Sequence, residues 1–303
     1  MSITNSGLIA NLLRPGLASI LAAAKMENPV ATQIFKKQSS DKNFEIDVEV
    51  AMFPLGREKP EGTEIAYENQ RQTFTTTYLN RSYGLGSIIT REAIDDNLYK
   101  KQFPTQAEGL KNSMSQLMEV NAASIFNNAF DTNYPIGDGL PLISTAHVLA
   151  NGTTQSNGVA VAVGLNEAAV QDFVTQAKKM RAASGLFDTV TPKRLIVPVE
   201  LQYNASRLLK SQYRPATANN DIGVIPDMDL LPDGYIAWKY LTSATAWFMQ
   251  TDAPVGLQMF DRVPLEMDTE EDKSLKAVKV TAYQRYSFGA TNFRALLGTS
   301  GVA

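Results

Sequence analysis

Phe44-Glu-Ile-Asp-Val-Glu-Val-Ala-Met52 is the stretch that decides how this chain is read. Phe44, Ile46, Val48, Val50 and Met52 fall on one side of a strict alternation, with Glu45, Asp47 and Glu49 on the other. A period of two with apolar and charged sides predicts a half-buried strand. Downstream, Pro54-Leu-Gly-Arg-Glu-Lys-Pro-Glu-Gly62 is dense in turn residues and charge, and Thr63 to Leu79 returns to β-prone sequence with Ile65, Tyr67, Phe74 and Tyr78. The two runs and their tip predict a long hairpin. Arms of about ten residues reach roughly 30 Å at ~3.3 Å per residue, and an isolated two-stranded ribbon is marginally stable in water. Such a ribbon needs a surface to lie on.

Upstream of the ribbon the chain is rich in Ala and Leu and is broken by Pro15 and Pro29, which suits an arm of short helix and extended chain. The apolar stretch Gly16 to Ala24 faintly has the look of a signal-peptide core but lacks a charged leading segment, so no cleaved leader is expected. Downstream, Pro104 sits where a helix can begin, and Ala107, Leu110, Met114, Leu117, Ile125 and Ala129 follow a helical stripe to Phe130. At ~1.5 Å per residue this is a spine of roughly 40 Å. A second helix is predicted over Asn166 to Ala183, with Asn166 as N-cap and Gly185 beyond its end. Arg194-Leu-Ile-Val197 reads as a short buried strand, followed by an amphipathic helix with Leu201, Ala205, Leu208 and Leu209. Arg214 to Gly234 is a long loop, a common site of functional surface. Strands are predicted around Ala246 to Met249, Gln258 to Met267 and Leu275 to Tyr286, the last two joined at the acidic turn Asp268 to Lys273. The fold class is α+β.

Composition narrows the function. Of 303 residues, 44% are hydrophobic and 19% charged, which is enough apolar content for a packed core. A formal net charge of −3 provides no global basic field, so contact with DNA is expected to be weak and nonspecific. The absence of cysteine removes disulfides, thiolate metal sites and cysteine nucleophiles together. No run approaches the roughly 18 apolar residues of a membrane span, so no membrane partner is expected.

Chemistry-bearing residues do not assemble into a catalytic set. His147, the only histidine, stands in Ser144-Thr-Ala-His-Val148 with Asp138 upstream. A hydrolase using His147 is one reading, but a single histidine among many Ser and Asp residues is more simply a hydrogen-bonded structural residue. One histidine cannot fill a zinc site that recruits several His or Cys ligands, so neither metal nor cofactor is expected. Tyr83-Gly-Leu-Gly-Ser-Ile88 lacks the third glycine of a dinucleotide fingerprint and reads as a turn or bulge. Asp95-Asp96 and Glu270-Glu271-Asp272 read as solvated charge. Lys178, Lys179 and Arg181 complement the dipole at the end of the second helix and only weakly suggest contact with phosphates. What is left is a self-assembling shell subunit and not an enzyme, because arms and ribbons that cannot stabilise themselves suit a chain whose neighbours supply the missing burial.

Several segments carry a family resemblance. Tyr83-Gly-Leu-Gly-Ser-Ile-Ile-Thr-Arg-Glu-Ala-Ile-Asp-Asp-Asn97, Asp138-Gly-Leu-Pro-Leu-Ile-Ser-Thr-Ala-His147, Leu195-Ile-Val-Pro198 and Arg285-Tyr-Ser-Phe-Gly-Ala290 with Asn292-Phe-Arg294 occur in one order over most of the chain. In this they resemble major capsid proteins of tailed bacteriophages with the HK97 fold, in particular the group similar to the major head subunit of phage Mu.

The resemblance implies an N-arm at 1–41, an extended E-loop at 42–80, a peripheral domain at 81–185 and 258–303, and an axial domain at 186–257. It implies a virion protein of a bacteriophage head, assembled in the host cytoplasm as pentamers and hexamers of an icosahedral capsid around double-stranded DNA. Its partners would be copies of itself, a separate scaffolding protein, a portal and a possible decoration or cement protein. A fused N-terminal scaffold is not expected, the leading segment being short. An encapsulin-type compartment shell is the nearest alternative. The covalent chain-mail of the namesake fold needs a lysine on the E-loop and an asparagine on the acidic loop. Lys59 is present, but Asp268 to Lys273 contains no asparagine, so a crosslinked shell is not expected. Candidate subunit contacts are Arg57, Glu58, Lys59 and Glu61 at the ribbon tip, with Asp268, Glu270, Glu271, Asp272 and Lys273 at the acidic turn.

Overall fold

A computed structural model describes residues 29–65, 67–90, 92, 99–211, 213, 222–272, 274–275 and 277–302. Most of the expected N-arm, the pair Asp95-Asp96, the stretch 214–221 and Lys273 lie outside the described residues. In chain order the elements begin with α1 (Val30–Ile34), β1 (Lys36–Ser39), β2 (Phe44–Ala51), β3 (Arg71–Leu79), β4 (Arg81–Thr90) and α2 (Tyr99–Asn127). There follow β5 (His147–Val148), β6 (Thr154–Gln155), α3 (Glu167–Lys178), β7 (Pro192–Val197), α4 (Gln202–Lys210) and α5 (Val224–Asp227). The chain closes with β8 (Tyr235–Ala237), β9 (Trp247–Thr251), β10 (Leu257–Asp272), β11 (Ala277–Ala290) and β12 (Leu296–Thr299). The described residues form two compact units, the first within 29–45, 79–122 and 259–288, the second within 46–78, 123–258 and 289–302.

In the first unit a four-stranded sheet has the order β1-β10-β11-β4. β11 and β4 run antiparallel from Ala277 opposite Thr90 to Tyr286 opposite Arg81. Tyr83-Gly-Leu-Gly-Ser-Ile88 is thus strand interior, not the expected turn or bulge. The glycines permit close pairing: a Cβ on Gly86 would meet the Thr281 Cγ2 at 3.3 Å and the Val280 carbonyl oxygen at 3.4 Å. α2 is the predicted spine, 29 residues long, or about 43 Å. It starts ahead of Pro104 because residues 99–103 contain no helix breaker. Ala107, Leu110 and Met114 pack on Ile89, Val280 and Ala282 of the sheet.

The acidic turn is placed differently from expectation. β10 continues through Asp272 and the described turn residues before β11 are Ser274 and Leu275. The strand period simply persists, with Thr269 buried while Glu266, Asp268 and Glu270 point to solvent. Asp272 then organises the reversal, its Oδ1 accepting from Ser274 N at 2.9 Å and Leu275 N at 3.2 Å while Oδ2 lies 2.5 Å from Lys279 Nζ.

The second unit has a sheet of order β12-β9-β7-β8, with β7 and β8 parallel and the other neighbours antiparallel. Leu195, Val197, Trp247, Met249 and Leu297 form its core with Phe173 and Ala177 of α3. The Trp247 and Phe173 rings meet edge to face at 4.8 Å. Asn166 caps α3 as predicted, accepting from Ala169 N at 2.8 Å. The helix stops at Lys178, short of Ala183. There the chain folds into a small hairpin, Arg181 bridging Phe187, with Gly185 at φ +88° making the reversal that other residues resist.

Candidate assembly surface

β2 and β3 pair as the predicted ribbon. Its alternation is as expected, but its faces are reversed. Ile46 is 55% exposed, Met52 63%, Leu55 75% and Tyr67 90%, whereas Asp47 and Glu49 are half-buried. The acidic side turns inward because the second unit gives it partners. Asp47 Oδ2 accepts from Gln258 Nε2 at 2.6 Å and from Thr291 Oγ1 at 2.9 Å. Thr291 Oγ1 is in turn 2.6 Å from the Tyr78 hydroxyl. Burial raises the Tyr78 hydroxyl pKa far above its usual value, with the nearby Asp47 charge adding to the rise and the Thr291 bond opposing it. Glu49 Oε1 accepts from Arg294 Nη1 at 2.5 Å, and Arg294 is 1% exposed. Such a buried, charge-assisted bond is strong and costly to break from one side.

The ribbon is therefore anchored by its charges and presents its apolar residues to solvent. Contiguous exposed apolar surface of this kind marks an interaction site. Sequence periodicity reveals the two faces but not which is covered. The signal that distinguishes them is Arg294, Thr291 and Gln258, distant in sequence and each placed to bond an acidic residue.

The candidate contacts are spread out. At the ribbon tip Glu58, Lys59 and Glu61 are exposed, while Arg57 Nη2 lies 3.7 Å from Glu68 Oε1 within the chain. Such an exposed pair is worth little by itself. In the first unit Asp268 and Glu270 are exposed on β10, and Asp272 is held by Lys279. Further exposed apolar residues are Tyr203 on α4, Tyr213, and Ile222 and Met228 within the 214–234 segment that the sequence marks as a surface.

His147 is fully buried. Its Nδ1 is 2.5 Å from Asp138 Oδ2, its Nε2 3.1 Å from Asn157 Oδ1, and its ring stacks on Phe293 at 4.0 Å. Both ring nitrogens are thus engaged by an acid and an amide, and neither bonds a serine hydroxyl as a nucleophilic triad requires. Among the described residues no group of three His, Cys, Asp or Glu is placed to hold a metal ion. Lys179 and Arg181 line a 710 Å³ cleft with Thr153, Ser156 and Gln176, where Asp172 offsets part of their charge. No helix among the described residues is long and apolar enough to cross a membrane.

A long spine helix on a sheet, an α/β unit and a two-stranded ribbon are the parts of the HK97 fold. A chain of the solved structure of Microbacterium phage Oxtober96 superposes with a TM-score of 0.55 at 10% identity, covering 94% of this chain and 98% of that one. A subunit of the bacteriophage JBD30 procapsid gives 0.56 at 13% identity, over 99% of this chain and 77% of that one. The virus-like particle from Pyrococcus furiosus gives 0.51 at 10% identity, over 95% and 98%. No curated protein matches. The family described as phage capsid protein matches residues 73–298, well over half of the sequence, and the chain belongs to that family.

Proposed function

We propose that this chain is the major capsid protein of a tailed phage, assembling into pentamers and hexamers of an icosahedral shell around double-stranded DNA. The observation that carries the reading is the reversed ribbon. Apolar residues displayed on an arm anchored by Asp47 and Glu49 find their burial on a neighbouring copy. The work of the protein is this association, not turnover, and the engagement of both His147 nitrogens speaks against the hydrolase alternative. Membership of the phage capsid family favours the DNA-filled head over a protein-filled compartment.

In this reading 1–41 is the N-arm and 42–80 the E-loop. Residues 81–185 and 258–303 form the peripheral domain, and 186–257 the axial domain, whose exposed Tyr203, Ile222 and Met228 face the symmetry axis. Arg57, Glu58, Lys59 and Glu61 meet acidic or basic groups of neighbours. Asp268, Glu270, Glu271, Asp272 and Lys273 do the same where capsomers meet. Each exposed pair contributes ~0.2 to 1 kcal/mol, multiplied by repetition over the shell. The shell is held without covalent links. A separate scaffolding protein, a portal and a cement protein complete the head, which is assembled in the host cytoplasm, and DNA contacts are nonspecific. Charge reversal of Arg57 and Lys59 together tests the tip contacts: shell yield should fall and become less sensitive to salt, and an unchanged yield and salt dependence would remove them.

A further inference from the structure

We propose that Asp138 and His147 are positioning residues for the ribbon, acting through Phe293 on the Arg294 anchor. The inference rests on reading the ribbon as the assembly arm. Asn157 is fully buried, and its Nδ2 faces three carbonyl oxygens, those of Leu142 at 2.7 Å, Leu296 at 2.9 Å and Phe293 at 3.0 Å. Carbonyls only accept, so the amide orientation is fixed and Oδ1 must face His147 Nε2 and the Ser144 N–H. With Asp138 Oδ2 at the other ring nitrogen, the imidazole is held at both ends.

That ring lies parallel to Phe293, with an interplanar angle of 9°. Arg294 Cζ lies 4.5 Å from the centroid of the same phenyl ring. The Phe293 ring is thus in contact with both the His147 imidazole and the Arg294 guanidinium. Arg294 Nε donates to the Arg181 carbonyl at 2.6 Å and Nη1 donates to Glu49 on the ribbon. A continuous stack follows, from the Asp138 carboxylate through His147, Phe293 and Arg294 to the Glu49 carboxylate. Nothing in it offers a reacting atom to solvent. Its end on the ribbon is Glu49, so its task is to keep the Arg294 guanidinium where Glu49 meets it.

The chain has no native cysteine, so a spin label on Gln72→Cys, an exposed site on β3, reports ribbon motion in the unassembled subunit. Glu49→Gln should turn an immobilised spectrum into a mobile one. His147→Gln should do the same, and the double variant should be no more mobile than either single, since members of one network are not additive. A label on Tyr203→Cys should keep its wild-type spectrum in all three. An immobile ribbon in folded His147→Gln, or additive mobilisation, would overturn the proposal. Asp138→Asn, close to isosteric, provides the second variant: ribbon mobilisation supports the stack and a wild-type spectrum overturns it. Because the label is read before assembly, a stack that couples normally in a chain that never forms shells would count against the proposed function and not against this inference.

Discussion

The ring of Tyr78 occupies the space in which a side chain on Gly289 would stand: a Cβ there would lie 2.6 Å from Tyr78 Cε1. Tyr78 ends the ribbon and is held by Thr291, so it cannot step aside without breaking that bond. Gly289→Ala is therefore expected to destabilise the unassembled subunit by about 1 to 3 kcal/mol, the usual cost of overpacking. Urea unfolding checks this, and an unchanged midpoint would place the ring elsewhere.

Arg294→Met should be worse, by about 3 to 5 kcal/mol, because it leaves the Glu49 carboxylate without its buried partner. Adding Glu49→Leu should recover much of the loss, since the double variant removes both charges. Equal stability of the single and the double variant would show that the pair is not coupled.

The reversal after β10 should be insensitive to pH over a wide range. The bond from Lys279, then those from Ser274 and Leu275, hold the Asp272 carboxyl below the usual carboxylate range. Its folded-state pKa is depressed, so its contribution is present above about pH 4 and is lost only as pH falls through the lower folded value. The same bond raises Lys279, whose contribution is present below about pH 10.4 and lost as pH rises beyond the folded value. Carboxyl-carbon NMR titration should place Asp272 below the usual carboxylate range in the wild type and return it upward in Lys279→Ala.

The two faces of the ribbon should behave oppositely. Ile46→Thr with Val50→Thr, on the exposed face, should leave subunit stability within about 0.5 kcal/mol per site while abolishing shells. Thr291→Val, beneath the acidic face, should lower stability, because it strands the bonds from Tyr78 and to Asp47. Urea unfolding of each, with electron microscopy of the first, separates the two effects.

Much of the fold was legible from the sequence because period, caps and turn residues are local. The alternation from Phe44, the stripe along α2 and the Asn166 cap all reappear as elements. The Gly-x-Gly reads as a turn because the space at Gly86 is set by Thr281 and Val280 on another strand. The β10 reversal was misplaced because acidic residues suit both an exposed strand face and a turn. The orientation of the ribbon was hidden for a deeper reason. A free chain normally buries its apolar side, and only long-range partners such as Arg294 and Thr291 reverse that choice.

The central claim is that copies of this chain build a shell, and electron microscopy of the purified chain, alone and with scaffold supplied, tests it most directly. Closed shells or ring-shaped capsomers in the wild type, lost in Ile46→Thr/Val50→Thr, are the predicted result. A strictly monomeric wild-type chain under both conditions would contradict it.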